Sequence, residues 1–523
     1  VFPECLHDEV YRLVNFASEY YRYPVGQAIF CAIPALWRKN AGWSKIKLLT
    51  VAPLIISNKC ILNEQQQQIV AQISSKLGNY YPSILYGITG SGKTEVYLAL
   101  IEQVLQQKQQ VLVLVPEINL TPQLLDRFKL RFPQSNMNIL TSHTTNKQRL
   151  QGYVSAGSGN SQIIIGTRLA VFTPFSNLGL IIVDEEHDHS FKQQDALRYH
   201  ARDLAVWRAK YHKIPIILGS ATPSLETLYN YKLDKYSLHK LGQRAVASAV
   251  LPKIKLIDLN AHKVDNGLTP IVIDEISKRL QLQELSLVFI NRRGYSPLIT
   301  CYQCGWVGVC NNCSTNLVYH HDSHELKCHH CGLTTPLPKF CPHCNSQHLQ
   351  ALGQGTQKIE ELLSGIFPTA RIFRIDQDTL NNKTSFVDLY NKVKNNEIDI
   401  LVGTQILTKG HDFHNLTLVV GLNVDSGLYS YDFRASEYLY TQLTQVSGRA
   451  GRGEKNGLVL LQTYYPRHEL YQYLQQNDFN GFINYTLNQR KELDAPPYSH
   501  YVMLRAAAKD KMSVSEYLQM IYS

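Results

Sequence analysis

"GITGSGKT" (Gly87–Thr94) and "LIIVDEEH" (Leu180–His187) decide the fold. The first matches G-x-x-x-x-G-K-[ST], follows an apolar run and precedes a helical pattern. Its glycines let backbone N–H groups face phosphates, and the start of the helix adds positive potential there. Gly87, Gly90, Gly92, Lys93 and Thr94 are therefore candidate nucleotide-binding residues. Lys93 would reach the β- and γ-phosphates of ATP, and the Thr94 hydroxyl would hold Mg²⁺. The second stretch is an apolar strand ending in acids, which puts carboxylates at the C-terminal edge of a sheet, where ligands bind. Asp184 is the candidate Mg²⁺ holder and Glu185 the candidate base for an attacking water.

Working outward, strand-like and helix-like stretches alternate on both sides of these motifs. "ILYG", "VLVLVP", "IIIGT", "LIIVDEEH" and the run from Ile214 to Pro223 form one set. "IKLIDL", "LVFINRR", "ARIFRID", "DILVGTQ", "TLVVGLNVD" and "GLVLLQT" form a second. Such alternation implies α/β architecture, with parallel sheets and crossover helices. "QVSGRAGRG" (Gln445–Gly453) lies in the second set. Two arginines in a loop are ordinarily surface charge. Here Arg449 and Arg452 fit a site in which one lobe binds ATP and the other supplies cations across a cleft, because phosphoryl transfer gains most from charge stabilisation.

The chain has 523 residues with 44% hydrophobic and 18% charged content, which suits a few folded domains rather than disorder. A net charge of +10 is compatible with a polyanion partner and equally with an inert basic surface. No apolar run approaches the roughly 18–20 residues of a membrane helix, and the start is no secretory signal, so no membrane partner is expected. The chain lacks an initiator Met and reads as a fragment of a longer protein.

Eight of the eleven cysteines form four C-x-x-C pairs: Cys301/Cys304, Cys310/Cys313, Cys328/Cys331 and Cys341/Cys344. Each pair presents two thiolates on one turn, and four pairs close two tetrahedral sites with no position left for water. Two structural Zn²⁺ ions are expected, with iron–sulfur binding as the alternative. Spacing allows three ways of combining the pairs. His329, His330 and His343 lie inside them and offer substitute ligands, though solvated histidine is the commoner reading. Cys5, Cys31 and Cys60 read as ordinary buried residues.

The order of the segments resembles superfamily 2 helicases. "LVPEINLTPQ" (114–123), "GTRLAVF" (166–172), "LGSATPSLET" (218–227), "LVFINRRGYSP" (287–297), "ILVGTQILTKGHDF" (400–413) and "QVSGRAGRG" carry the likeness. "DEEH" followed by "SFKQQDALRYHARD", with cysteine pairs inserted late, is similar to the PriA family of replication-restart helicases within them. That resemblance implies two RecA-like parallel-sheet lobes, a zinc-binding insertion in the second, and partial N- and C-terminal domains. The expected division is 1–43 as the end of an N-terminal DNA-binding domain and 44–60 as a linker. Lobe 1 would be 61–240, lobe 2 250–300 and 345–465, the two-zinc insertion 301–344, and the start of a shortened C-terminal domain 466–523. About twenty residues between Trp43 and Leu62 leave no room for the winged helix many family members carry. The pocket for a nascent strand's 3′ end is expected to be missing.

The resemblance also implies residue roles. Phe191, Lys192, Arg198 and Tyr199 would belong to an aromatic-rich loop coupling single-stranded DNA to hydrolysis, by stacking and phosphate tracking. Ser220–Thr222 would link the ATP site to DNA. Thr167, Arg168, Arg292, Arg293, Thr404 and Lys409 would line the DNA path. The family's adenine stretch L-N-x-E-Q departs here to Leu62-Asn63-Glu64-Gln65-Gln66, and Gln66 is the expected adenine contact. The implied zinc pairing is nested: Cys301, Cys304, Cys341 and Cys344 on one ion, and Cys310, Cys313, Cys328 and Cys331 on the other.

The implied activity is an ATP-dependent 3′-to-5′ DNA helicase that recognises stalled forks and initiates primosome assembly in the bacterial cytoplasm, at the nucleoid. Its implied partners are single-stranded and forked DNA, other primosome proteins, single-strand-binding protein and the replicative helicase loading machinery. The competing readings are a DNA translocase or RNA helicase without fork unwinding, and a zinc-ribbon scaffold with little motor activity. Lys93, Asp184, Glu185 and Arg452 together weigh against the scaffold, which has no need of all four.

Overall fold

The computed structural model describes residues 7–38, 54–57, 59–88, 90–116, 122–142, 144–242, 252–262, 264, 267–291, 298–301, 303–304, 306–311, 316–320, 325–328, 332–347, 349–352, 356–375, 389, 391–404, 413, 415–430, 432–451, 455–502, 504, 506 and 511–522. In lobe 1 the strands are β1 (Tyr81–Gly87), β2 (Gln110–Leu114), β3 (Met137–Leu140), β4 (Ile163–Gly166), β5 (Leu178–Asp184), β6 (Pro215–Ser220) and β7 (Ser237–Leu241). They form one parallel sheet in the order β3-β4-β2-β5-β6-β1-β7. The inner strands β2, β4 and β6 are buried along their whole length. Helices cover both faces, which is why these strands read as continuous apolar runs rather than alternating ones.

The helices in or packed against this lobe are α1 (Asp8–Tyr20), α2 (Val25–Ala32), α3 (Ala35–Arg38), α4 (Glu64–Ser74), α5 (Lys93–Gln106), α6 (Pro122–Arg131), α7 (Asn146–Gly157), α8 (Ala201–His212) and α9 (Leu225–Lys232). α1 and α2 share a hydrophobic cluster with β2, β4, β5, β6 and α8: Val10, Leu13, Val14, Ala17 and Ala28 are fully buried in it. One ion cluster seals this seam. Glu9 pairs with Arg208, accepts the Phe175 N–H at 3.3 Å and lies 2.9 Å from His212 Nε2. Leu54 and Ile56 also lie against lobe 1, where Ser57 N–H donates to Arg131 O at 3.0 Å.

Lobe 2 repeats the design with β8 (Lys253–Asp258), β9 (Leu285–Ile290), β15 (Ile372–Ile375), β16 (Ile400–Gly403), β17 (Leu416–Leu422) and β18 (Leu458–Thr463), parallel in the order β15-β16-β9-β17-β18-β8. Between β9 and β15 the chain builds a separate antiparallel sheet from β10 (Leu298–Cys301), β11 (Val318–His320), β12 (Glu325–Lys327), β13 (Thr334–Pro336) and β14 (Leu349–Leu352). It is small, and among the described residues its buried core is Ile299, Leu317, Leu326, Cys310 and Cys328, with Trp306, Tyr319, Leu333, Leu337 and Leu349 packed against it. Such a module needs metal to hold its shape. Asn316 Nδ2 donates to Tyr429 O and ties the module to lobe 2.

The lobes touch through α9. Leu225 is buried in lobe 2's cluster with Leu439, Tyr440 and Leu443, and Leu228 packs against it. Tyr86 of β1 and Phe479 stack obliquely at 5.6 Å across the same boundary.

Candidate nucleotide site and metal centre

Three motifs meet because of strand order. β1, β6 and β5 are neighbours, so Gly87, Ser220 and Asp184 all end at one sheet edge. After β1 the chain turns through Gly90 (φ +84°) and Gly92 (φ +83°), left-handed values that exclude most side chains, and enters α5 at Lys93. Lys93 Nζ donates to Gly87 O at 2.7 Å, so the ammonium arches over the loop. Thr94, half-buried, follows in the first helical turn.

Asp184 accepts a hydrogen bond from Tyr97 OH at 2.9 Å. Burial, then Glu185, push the Asp184 carboxyl up to about 6, against Lys93 and the tyrosine donor, which hold it down. A dry, acid-rich corner of this kind is suited to a divalent cation. Glu185 adopts φ +47°, a strained setting for a side chain. Its Oε2 is buried with no hydrogen-bond partner among the described residues. His187 Nδ1 is 3.6 Å away. The two carboxylates and the ammonium thus fit a Mg–nucleotide complex and an attacking water. Gly219 makes room: a Cβ there would overlap the Tyr97 hydroxyl.

The residues that sequence reasoning left without a role are Tyr97, Glu186, His187 and Gln445. His187 Nδ1 bonds Ser220 Oγ at 2.6 Å and its Nε2 bonds Gln445 Nε2 at 3.0 Å, the amide donating to the ring. One imidazole therefore joins the acid strand, the "SAT" turn and lobe 2. The letters were legible in "DEEH" and "QVSGRAGRG"; Tyr97 was signalled only by its place one turn past Lys93 on a helix.

Gln66, the expected adenine contact, is buried beside the phosphate loop. Its Oε1 accepts Asn63 N–H at 3.0 Å in a capping box, and its Nε2 donates to Ser91 O at 3.3 Å. Both ends of the amide stabilise the helix start and the phosphate loop. Arg449 is buried at the end of the helix Ala435–Ser447, which also carries Gln445. Arg452 lies outside the described residues.

The candidate DNA residues divide. Thr167 and Arg168 follow β4; Thr404 follows β16, so all three sit at C-terminal strand edges. Arg168 Nη1 donates to Ser190 O at 2.9 Å and Lys192 O at 3.2 Å and holds the 188–192 loop from behind. Phe191 was expected to offer a stacking face, but it is 1% exposed in the core: the short turn His189–Phe191, capped by Asp188, directs the ring inward. Tyr199 is buried likewise. Lys192 donates to Arg198 O and sits 4.9 Å above the Tyr21 ring. Arg198 is the exposed cation of this loop. Arg292, Arg293 and Lys409 lie outside the described residues.

The Sγ atoms of Cys301, Cys304, Cys341 and Cys344 all lie within 4.8 Å of one another. Cys301–Cys344 and Cys304–Cys341 are 3.5 and 3.6 Å apart. Four converging thiols with β10 on one side and a tight turn on the other fit a tetrahedral zinc ion. This is the outer half of the nested pairing. Cys310 and Cys328 are buried in the small module's core. Cys313 and Cys331, like His329 and His330, lie outside the described residues. Cys60 is exposed and Cys31 half-buried, against the expectation of burial; Cys5 is not among the described residues.

Three family models match: DEAD/DEAH box helicase over residues 63–231, the PriA DNA helicase Cys-rich region over 310–336, and the helicase conserved C-terminal domain over 344–454. Replication restart protein PriA of Haemophilus influenzae is 43% identical over 476 residues, 91% of this chain and 64% of that protein. The Bacillus subtilis protein of that name is 40% identical over 82% of this chain and 53% of its own length. That of Rickettsia conorii is 38% identical over 94% of this chain and 75% of its own. The chain thus spans between half and three-quarters of the length of these relatives.

Proposed function

The chain belongs to the replication restart protein PriA family, and from that premise we propose that it carries the motor of an ATP-dependent 3′-to-5′ DNA helicase acting at stalled or branched forks. Bound ATP with Mg²⁺ supplies the phosphoryl group whose transfer to water drives the motor. Lys93 and the backbone of the Gly87–Thr94 loop bind its phosphates, and Thr94 and Asp184 hold the metal. Glu185 orients and deprotonates water from its buried, unpartnered oxygen. Arg449 and Arg452 stabilise charge from lobe 2.

The observation that carries this reading is the double contact of His187. It bonds Ser220 on its own lobe and Gln445 on the other, so the acid strand senses the position of lobe 2. The strip formed by Thr167, Arg168, Lys192, Arg198 and Thr404, with Arg292, Arg293 and Lys409, contacts the strand. Two zinc ions stiffen the cysteine module beside it, the second held by Cys310, Cys313, Cys328 and Cys331. Residues 1–43 serve as the end of a DNA-binding domain, and 466–523 begin the C-terminal domain. In the cell this motor works on the nucleoid with primosome proteins, single-strand-binding protein and the helicase loader.

The test is steady-state ATP hydrolysis with and without single-stranded DNA, beside strand displacement on forked DNA and on an RNA duplex. The expected result is DNA-stimulated hydrolysis and unwinding of the DNA fork alone. Lys93→Ala should abolish hydrolysis and retain DNA binding. Normal hydrolysis by that variant would end the motor assignment.

A further inference from the structure

Glu186, the third acid of "DEEH", takes no part in the chemistry above, yet it is wholly buried. Its carboxylate accepts four hydrogen bonds: from Arg202 Nη1 (2.9 Å), Ser224 N (2.7 Å), Ser224 Oγ (3.1 Å) and Thr227 Oγ1 (2.9 Å). Ser224 and Thr227 are the cap and first turn of α9. Glu186 therefore fixes the start of α9 to the strand that bears Asp184 and Glu185.

The same turn of α9 reaches lobe 2. Leu225 N–H donates to Glu437 Oε1 at 3.0 Å. Glu226 Oε1 accepts from Arg434 Nε at 3.2 Å and Nη2 at 3.1 Å. Arg490 Nη2 donates to Glu437 Oε2 at 2.8 Å, and its Nη1 is 4.0 Å from Glu226. Glu437 and Arg490 are 7% and 3% exposed. Glu226 of α9 thus meets Arg434, Glu437 and Arg490 of the lobe 2 side across the boundary, flanked by Leu225 and Leu228 in lobe 2's core and by the Tyr229–Tyr498 ring contact at 5.0 Å. The Glu226 and Arg434 side chains are 23% and 36% exposed, whereas the buried Glu437–Arg490 pair is tolerable only while its partners, Leu225 N–H among them, are in place, so the cluster stabilises one spacing of the lobes and penalises others.

We propose that Glu186 and the Glu226–Arg434–Glu437–Arg490 cluster are positioning residues, a brace that sets the separation of the lobes for hydrolysis. The proposal rests on the motor reading above. None of the five lies in the candidate phosphate site. Their effect runs along the helix Ala435–Ser447, where Glu437 precedes Gln445 by eight positions, about 12 Å of helix. Anchoring Glu437 to α9 delivers Gln445 to His187 and Arg449 toward the nucleotide. Binding of ATP, a lobe 1 property, is not set by the brace; its turnover is.

The test uses the full chain with Glu226→Gln, Arg434→Gln, the double variant, Arg434→Lys and Glu186→Gln. ATP hydrolysis at saturating single-stranded DNA should show kcat lowered five- to twentyfold in Glu226→Gln, Arg434→Gln and Glu186→Gln, with KM for ATP within twofold. The double variant should be no slower than the slower single, and Arg434→Lys should recover to within threefold of the parent. Hydrogen exchange without nucleotide should rise at least tenfold across residues 225–232 in both Gln variants of the cluster, with β1, β5 and β6 unchanged. Unchanged kcat, parallel loss of kcat and KM, multiplying losses or unaltered exchange of α9 would each overturn the brace. Absence of Lys93-dependent hydrolysis in the parent would instead sink the motor reading, while the exchange measurement would still judge the brace.

Discussion

Replacing Glu9 by Ala should unfold lobe 1 at markedly lower denaturant. Glu9 and Arg208 are 6% and 0% exposed, so neither charge is solvated. Without the carboxylate, Arg208 keeps a bond to Val171 O at 2.7 Å, and the Phe175 N–H loses its acceptor. Stranding one partner of a buried pair costs about 3–5 kcal/mol. With a urea slope of about 3 kcal/mol per molar for a lobe of this size, the midpoint should fall by about 1–2 M. Trp207 reports the event directly, because its ring stacks on Phe16 of α1 at 5.2 Å. Glu9→Leu with Arg208→Met removes both charges and should recover most of the loss. Fluorescence of Trp207, followed with the other three tryptophans replaced by Phe, is the assay. A midpoint shift below about 0.3 M, roughly 1 kcal/mol on the same slope, would refute the reasoning, as would a double variant no better than the single. The consequence reaches function: Val171 lies in the turn that follows Thr167 and Phe175 just beyond it, so DNA stimulation should weaken with the seam.

Gly219→Ala should lower kcat for ATP at least tenfold, since its Cβ would collide with the Tyr97 hydroxyl beside Asp184; adding Tyr97→Phe should restore part of the rate, and a double variant slower than Gly219→Ala alone would contradict the steric account. Cys341→Ser should lose one zinc per chain by elemental analysis and expose the small sheet to protease while lobe 1 stays folded; unchanged zinc content would remove Cys341 from the metal centre. Burial holds the His200 imidazole down to about 4, below its ordinary 6.5. The unfolded chain then binds more protons, so stability present above pH 6.5 should be lost as pH falls toward 4, by no more than about 3 kcal/mol. His200→Asn should flatten that loss in denaturation profiles from pH 7 to 4, and an unchanged profile would exclude His200 as its source.

Strands and the glycine turn before Lys93 were legible because their signals are local. A buried parallel strand is a short apolar run, and a phosphate loop is a fixed spacing of glycines before Lys93. The edge strands β3 and β7 were not legible: "MNIL" and "SLHKL" are short and mixed, and only their neighbours make them strands. The small antiparallel sheet was hidden for the same reason; strands of three or four residues carry no period. Phe191 misled because aromatic and basic letters in a loop say nothing about which way a ring turns. Gln66 showed what letters leave out. An amide can serve helix, loop or ligand, and choosing among them needs the position of Ser91.

The four letters of "DEEH" show how far one strand end can be divided. Asp184 and Glu185 are raised or left unpartnered, which is unfavourable in a resting fold and useful only with a cation and water at hand. Glu186, one residue on, is saturated by four donors and cannot act on a ligand at all. The contrast follows from geometry: the φ +47° turn at Glu185 separates the neighbouring carboxylates, so that Glu185 keeps an unpartnered oxygen at the strand end while Glu186 lies at the base of α9. His187 then reaches Ser220 and, on the second lobe, Gln445. A strand end built this way cannot change its chemistry without disturbing α9 and lobe 2, because the same backbone turn places all four side chains. Under the motor reading proposed above, coupling between hydrolysis and lobe position would follow from the covalent spacing of these residues, with no separate signalling element.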